Sequence, residues 1–281
     1  MSVLERLAFS AWAMREAPVD RQVAIVADAG FRGIELVAGP GFGLEISADA
    51  TERARIKGLL VDRSLVLTAL AAHADPSSAD LETRRASLER IKAAVDLAVD
   101  LSPPGAPVPV ITMGRGSPET YERDRAVLIE SFRELGAYAR SRGGLVALEP
   151  HVGQAMDLPE KVVDLIEAVG STGFRLNLDN SHFEVMGRDL DDYLPLLIPY
   201  SVHTEVKDQR GRAPAHEFLI PGEGDFDYAR YLQAMDRLGY RGWITIEISV
   251  MVQRRAGYDP AATARTSYAT LARSAERAGL A

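Results

Sequence analysis

Residues 145–151 read LVALEPH, and three later stretches repeat the pattern: FRLNLDNSH at 174–182, SVHTEVKD at 201–208 and WITIEIS at 243–249. In an extended strand, successive side chains point to opposite faces. Val146 and Leu148 therefore share one face, and Ala147, Glu149 and His151 the other. Leu176 and Leu178 likewise oppose Asn177 and Asp179. Val202, Thr204 and Val206 oppose His203, Glu205 and Lys207, while Ile244, Ile246 and Ile248 oppose Thr245, Glu247 and Ser249. Each stretch thus sets apolar residues against a covering layer and an acid on the other side, near its carboxyl end. In a (β/α)8 barrel those ends converge at the C-terminal mouth, where the active sites of that fold are built.

Working outward, the alternation continues along the whole chain. Strands are predicted at Leu7–Ala13, Gly33–Val37, Leu65–Ala71, Val108–Met113, Leu145–Glu149, Phe174–Asp179, Ser201–Val206 and Trp243–Ser249. Helices are predicted at Val19–Ala29, Thr51–Arg63, Leu81–Leu101, Glu119–Arg142, Leu158–Val169 and Pro260–Ala278. Within the third of these, Leu88, Ile91, Val95 and Ala98 recur at helical spacing and form one buried stripe. Gly30, Gly170 and Gly239 follow helical runs and mark their C-caps. No G-x-G-x-x-G follows the first strand, so a dinucleotide-binding sheet has no support. The short Pro-rich piece at 102–107 reads as a loop, and residues 1–281 read as a single α/β domain, a (β/α)8 TIM barrel.

Composition narrows the chemistry. The 281 residues hold 47% hydrophobic and 26% charged side chains, enough apolar material for one large core. A net charge of −8 disfavours nucleic acid as a partner. The chain has no cysteine, which removes disulfides, thiolate nucleophiles and Cys-ligated zinc together. No apolar run approaches a membrane span and no signal segment opens the chain, so a soluble, cytoplasmic protein is the expectation.

Four acids brought to one mouth repel one another, and each is costly to desolvate without a partner. A divalent cation is the simplest compensation, and hard oxygen donors suit magnesium or manganese. His151, two residues beyond Glu149 on the same face, is a candidate general base, with a second-shell hydrogen-bonding role as the alternative. Trp12, at the predicted end of the first strand, would stack on a sugar face or plug the barrel. His73, ending the third strand, would meet substrate or cap the strand. Lys207 would neutralise a developing oxyanion or pair with a carboxylate. His216 falls in a polar loop and is expected to be exposed, while Arg254 and Arg255 are expected to be solvated loop residues, with contact to an anionic substrate group as the alternative.

The strings LEPH at Glu149, LDNSH at Asp179, VHTEVKD at 202–208, IPGEGDFDY at 220–228 and GYRGWITIE ending at Glu247 resemble the xylose-isomerase-like barrels. That superfamily includes sugar isomerases and epimerases, inosose dehydratases and endonucleases. The resemblance implies a divalent metal, Mn2+ with Mg2+ or Co2+ as substitutes, held by Glu149, Asp179, a residue of the seventh strand and Glu247. Where the family often reads H-x-K-D, this chain has Glu205-Val206-Lys207-Asp208. Both Glu205 and His203 point inward; Glu205 is the preferred ligand, because Lys207-Asp208 fixes the register and it lies nearer the mouth, and His203 is the alternative. The resemblance further gives His182 and Arg210 substrate contacts, Glu35 an orienting role, and Glu149 and Glu247 proton transfer on opposite substrate faces.

The expected activity is isomerisation or epimerisation of a sugar, polyol or keto-sugar, by proton abstraction next to a carbonyl and a metal-stabilised enediolate. The alternative is lyase-type elimination from a 3-keto-glycoside, as in the catalytic subunits of C-glycoside deglycosidases. The Glu-Pro-His string and QRRAGYDP at 253–260 resemble those subunits, with His151 as base and a small β-rich subunit as partner. A small-molecule carbohydrate is the expected ligand, a homo-oligomer the expected assembly, and neither nucleic acid nor membrane an expected partner.

Overall fold

A computed structural model describes residues 2–103 and 105–281; Pro104, in the predicted Pro-rich loop, lies outside the described residues. Eight parallel strands close into a barrel: β1 (Leu7–Ser10), β2 (Gly33–Val37), β3 (Val66–Ala71), β4 (Pro109–Met113), β5 (Leu145–Glu149), β6 (Phe174–Asp179), β7 (Ser201–Val206) and, after a two-stranded hairpin, β10 (Ile244–Ile246). β10 pairs with both β7 and β1 and completes the ring. The hairpin is formed by β8 (Asp208–Arg210) and β9 (Glu217–Leu219), antiparallel to each other. No helix among the described residues is long and apolar enough to cross a membrane.

The helices begin and end where local chemistry dictates. Asp49, Asp80 and Asp259 each accept a backbone N–H from the first turn of the helix they cap, at Glu52, Thr83 and Ala261. Gly170 ends the helix Pro159–Val169 with φ +64°, a left-handed cap that costs glycine no Cβ clash. The Leu81–Leu101 helix buries Leu88, Ile91, Val95 and Ala98 together, as their spacing requires.

Two predicted strands are shorter than expected. β1 stops at Ser10, whose hydroxyl accepts the Trp12 N–H at 3.1 Å and turns the chain into a 3-10 helix, Ala11–Met14. Trp12 therefore stands on that helix and not on the strand. The last strand is Ile244–Ile246, so Glu247 is one residue past it, and His73 similarly lies two residues past β3.

The hairpin, unanticipated from sequence, is fastened by Asp208. Its buried Oδ1 accepts N–H groups of Gln209 and Phe226 at 2.9 and 3.2 Å, and its Oδ2 those of Gly222 and Gly224 at 2.7 and 3.1 Å. One carboxylate thus organises the whole 220–226 loop. Gly224 leaves no room for a side chain there, since a Cβ would lie 2.3 Å from Asp208 Oδ1. Asp208→Asn turns an acceptor into a donor facing N–H donors. It is expected to lower unfolding free energy by roughly 2–3 kcal/mol, read by urea denaturation; an unchanged midpoint would show that the clasp contributes nothing.

Candidate active site

The register of β6 against β7 decides what each inward side chain meets. Asp179 pairs with Glu205, and Asn177 with His203, so Glu205 stands level with Asp179 and His203 one layer deeper. Glu149, Asp179, Glu205 and Glu247 converge: each offers a carboxylate oxygen, and these oxygens all lie within 4.8 Å of one another. All four side chains are buried. Asp179 is oriented by Ser181, whose N–H and hydroxyl donate to Oδ1 at 2.9 and 2.6 Å and leave Oδ2 free to face the cluster. Oδ2 meets the Lys207 ammonium, which also contacts Glu247.

Beneath this floor lies a polar column. His203 Nδ1 bonds Asn177 Oδ1 and its Nε2 bonds Thr245 Oγ1, each at 2.8 Å. Asn177 Nδ2 in turn donates to Glu205 Oε2 at 2.5 Å. Both His203 nitrogens are thus engaged, and it is Glu205, not His203, that offers an atom to the convergent group. Glu35 accepts from Ser10 at 2.5 Å and has its second oxygen 3.8 Å from His203 Nε2, so it supports the column from β2. Glu205→Gln is expected to weaken divalent-ion binding by at least ~100-fold, and His203→Asn to leave it nearly unchanged. Calorimetric titration checks both; loss of the metal on the His203 change alone would reverse the assignment.

Above the floor opens a cavity of about 310 Å3. Trp12, His73, Glu149, His151, His182, Lys207 and Glu247 line it, with His216 and Phe218 contributed by the hairpin. His151 Nε2 is 2.8 Å from Glu149 Oε1, and His73 Nε2 is 3.8 Å from Glu149 Oε2. The His151 and His182 rings stack with centroids 4.2 Å apart, while Phe218 meets His182 edge-on at 5.4 Å. Trp12 stacks on Phe42 at 5.0 Å and lies nearly perpendicular to the His73 ring, centroids 5.5 Å apart.

Most sequence-predicted residues therefore gather here, with three exceptions. Arg210 faces away from this cavity: it donates to the Glu223 carbonyl at 2.5 Å, lies 3.7 Å from Asp225, and lines a separate cleft. The β8–β9 pairing turns its side chain outward from the mouth. Arg255 is held by Glu223 at 2.6 Å, and Arg254 lines a different cleft beside Met14. Conversely His216, expected to be exposed, is half-buried at the mouth, 4.9 Å from the Phe218 ring. Phe218 and Met113, also in the lining, carried no signal that alternation or spacing could have exposed.

Burial and crowding divide the titrations. Burial raises Glu247 to about 7 against the pull of Lys207, with Glu149 and Asp179 adding repulsion. Burial raises Glu205 well above the carboxylate range, with Glu35 and Glu149 adding to it. Glu35 rises to about 8, chiefly through burial. Burial also pushes Glu149 upward, but His151, His73 and Lys207 together hold it below the usual range. His151 is raised, as attraction to Glu149 overcomes burial, whereas burial and the adjacent His151 lower His182 to about 3. Two carboxylates with opposite shifts, 149 and 247, face one cavity, a pattern that separates a base from an acid.

The donor set fits a divalent cation. Four buried carboxylates meet a single ammonium, leaving negative charge uncompensated, and all four donors are hard oxygens.

Residues 23–273 match the family described as xylose isomerase-like TIM barrel. The chain belongs to this family. Among xylose isomerase-like relatives, the inosose dehydratase of Geobacillus thermodenitrificans is 26% identical over 167 residues, covering 54% of this chain and 53% of that protein. The chain matches about half the length of such curated relatives. Of solved xylose isomerase-like structures, the 3-keto-D-glucoside 4-epimerase of E. coli superposes with TM-score 0.76 at 17% identity, covering 95% of this chain and 99% of that one. A barrel from Mycobacterium smegmatis in complex with magnesium superposes with TM-score 0.72 at 20% identity, covering 98% of each.

Proposed function

We propose that this barrel is a divalent-metal-dependent isomerase or epimerase of a sugar, polyol or keto-sugar, moving a proton on the carbon beside a carbonyl. The observation that carries the reading is the four-carboxylate floor with His151 2.8 Å from Glu149, opening on one cavity. The epimerase and dehydratase relatives, and the magnesium complex of a structural neighbour, support it.

Glu149, Asp179, Glu205 and Glu247 would hold the ion; manganese or magnesium suits their oxygens and supplies fixed positive charge beside a substrate oxygen. The protein's own groups do the rest. His151, oriented by the Glu149 anion, takes the proton at its ring nitrogen; with Glu149 itself it forms the basic side of the cavity. Glu247, whose carboxyl burial raises to about 7, returns a proton from the other side. Lys207 lines the cavity and faces charge developing on the carbonyl oxygen. Trp12 and Phe218 provide apolar surface for a sugar face, while His73 and His182 offer hydrogen bonds to hydroxyls.

Candidate 3-keto-glucosides and ketoses incubated in D2O test the reading: deuterium enters at the carbon beside the carbonyl and a stereoisomer or positional isomer accumulates. Absence of exchange with every member of such a panel would reject it. The sign of the pH dependence follows from the two groups. Activity rises as His151, shifted upward by Glu149, loses its proton and falls as Glu247 loses its own near 7, giving a bell in kcat/KM. His151→Gln should erase the rising limb; a profile unchanged by that substitution would remove His151 from the chemistry.

A second reading uses the same base for elimination from a 3-keto-glycoside, with a small β-rich subunit as partner. The sequence match to an inosose dehydratase favours it, because a dehydratase also eliminates. Release of an aglycone from a 3-keto-C-glycoside, with or without such a subunit, separates it from epimerisation.

A further inference from the structure

The catalytic cavity shares a wall with a neighbouring cleft. Val250 lines both the cavity above the carboxylate floor and a cleft of about 470 Å3 beside it. Two arginines, Arg15 and Arg254, line that cleft, and among the described residues no acidic side chain does. Acids outnumber bases by 40 to 32 in this chain, so a pair of guanidinium groups left without carboxylates is unusual here. Arg255, the next residue, is taken by Glu223 at 2.6 Å, whereas Arg254 makes no ion pair among the described residues. Arg15 has only Glu16, 4.0 Å away and with its side chain 82% exposed.

Both arginines rise from fixed backbone. Gln253 Nε2 donates to the carbonyls of Trp12 and Ile248 at 3.0 and 2.7 Å, and the Tyr258 hydroxyl donates to the Ala13 carbonyl at 2.8 Å. The segment that carries Arg254 is thereby pinned to the one that leads to Arg15. Glu16 N–H donates to the Gly41 carbonyl at 2.6 Å, anchoring the turn beyond Arg15. The Arg15 guanidinium lies over the Phe42 ring, 5.4 Å from its centroid, and Phe42 stacks on Trp12 of the cavity. A row Trp12, Phe42, Arg15 thus runs from the apolar wall of the cavity to a cation.

We propose that this cleft is an anion subsite of the same binding site, and that the ligand is an acidic carbohydrate with a carboxylate or phosphate at the end remote from its carbonyl. Guanidinium forks match either group with two parallel hydrogen bonds. Cations at one end of the site and acids at the other give such a ligand a single orientation, with its carbonyl end over the floor. The inference rests on the proposed function for which end reacts; the subsite itself is read by binding alone.

Mn2+-loaded protein titrated calorimetrically with D-fructose, D-fructuronate and D-fructose 6-phosphate tests it, since these share a keto group and differ at the far carbon. One of the two acids at least is expected to bind ~10-fold or more tightly than fructose, the better one naming the anion. The advantage should shrink as salt rises from ~0.05 to ~0.5 M. Arg15→Gln and Arg254→Gln should each remove most of it and leave fructose binding as in the native chain; both side chains are exposed, and an unchanged melting temperature verifies the fold. Arg255→Gln should leave the preference intact. A preference for the acids in a protein that exchanges no proton with any ketose keeps the subsite and rejects the isomerase reading. Acids that bind no more tightly than fructose overturn the proposal, as does a preference that survives both substitutions because the metal itself takes the anion.

Discussion

Glu149→Gln is expected to reduce turnover by at least ~10^3-fold while leaving the barrel folded. The substitution acts twice. It removes a floor carboxylate, and with it an anionic donor to the cation. It also removes the negative charge 2.8 Å from His151, which raises the basicity of that imidazole. A positioned base contributes about 10^2–10^4-fold and charge stabilisation about 10^2–10^3-fold, but groups acting as a unit do not multiply, so the lower part of the combined range is the expected loss. Some stability should be lost with it, because the attraction of His151, His73 and Lys207 favours the Glu149 anion in the folded barrel. Isotope exchange from D2O reads the first effect and thermal melting the second. A variant retaining a tenth of native exchange would place the chemistry elsewhere.

Stripping the protein with a chelator is expected to bring turnover to background, with recovery on adding Mn2+ or Mg2+. It should also lower the melting temperature. An ion present at about 100 times its Kd stabilises by about 2.7 kcal/mol, which for a chain of this size corresponds to about 5 °C. Lys207 keeps the metal-free floor from collapsing, since its ammonium bridges Asp179 and Glu247, so the stripped protein should remain folded. Full activity after exhaustive chelation, verified by elemental analysis, would defeat the cation reading.

Much of this was legible in the chain because a strand alternates with period two and one face must be apolar. That logic placed Glu149, Asp179, Glu205 and Glu247 at one end of the barrel, where the structure brings them together. It could not separate His203 from Glu205, because both face inward; depth along the strand decides, and depth depends on a register shift between Leu176 and Asn177. The end of β1 was invisible for a related reason: Leu7–Ala13 is apolar apart from Ser10, whose hydroxyl capping Trp12 stops the strand. The hairpin escaped because its strands have three residues each, too short for a period to register, and are separated by a segment rich in Gly, Pro and Arg. Arg210 was misplaced with it. His216 and Phe218 were carried to the mouth by that same hairpin, not by any barrel strand.

The Asp208 clasp gives this architecture a division of labour. Lys207 and Asp208 are adjacent in the chain, yet one reaches into the carboxylate floor and the other ties down the 220–226 segment from beneath. The hairpin tip at 211–216 hangs between these two anchors and contributes side chains to the ceiling of the cavity. Evolution or an engineer can therefore vary the length and composition of that tip to reshape which ligand is admitted, while the acids below keep their arrangement.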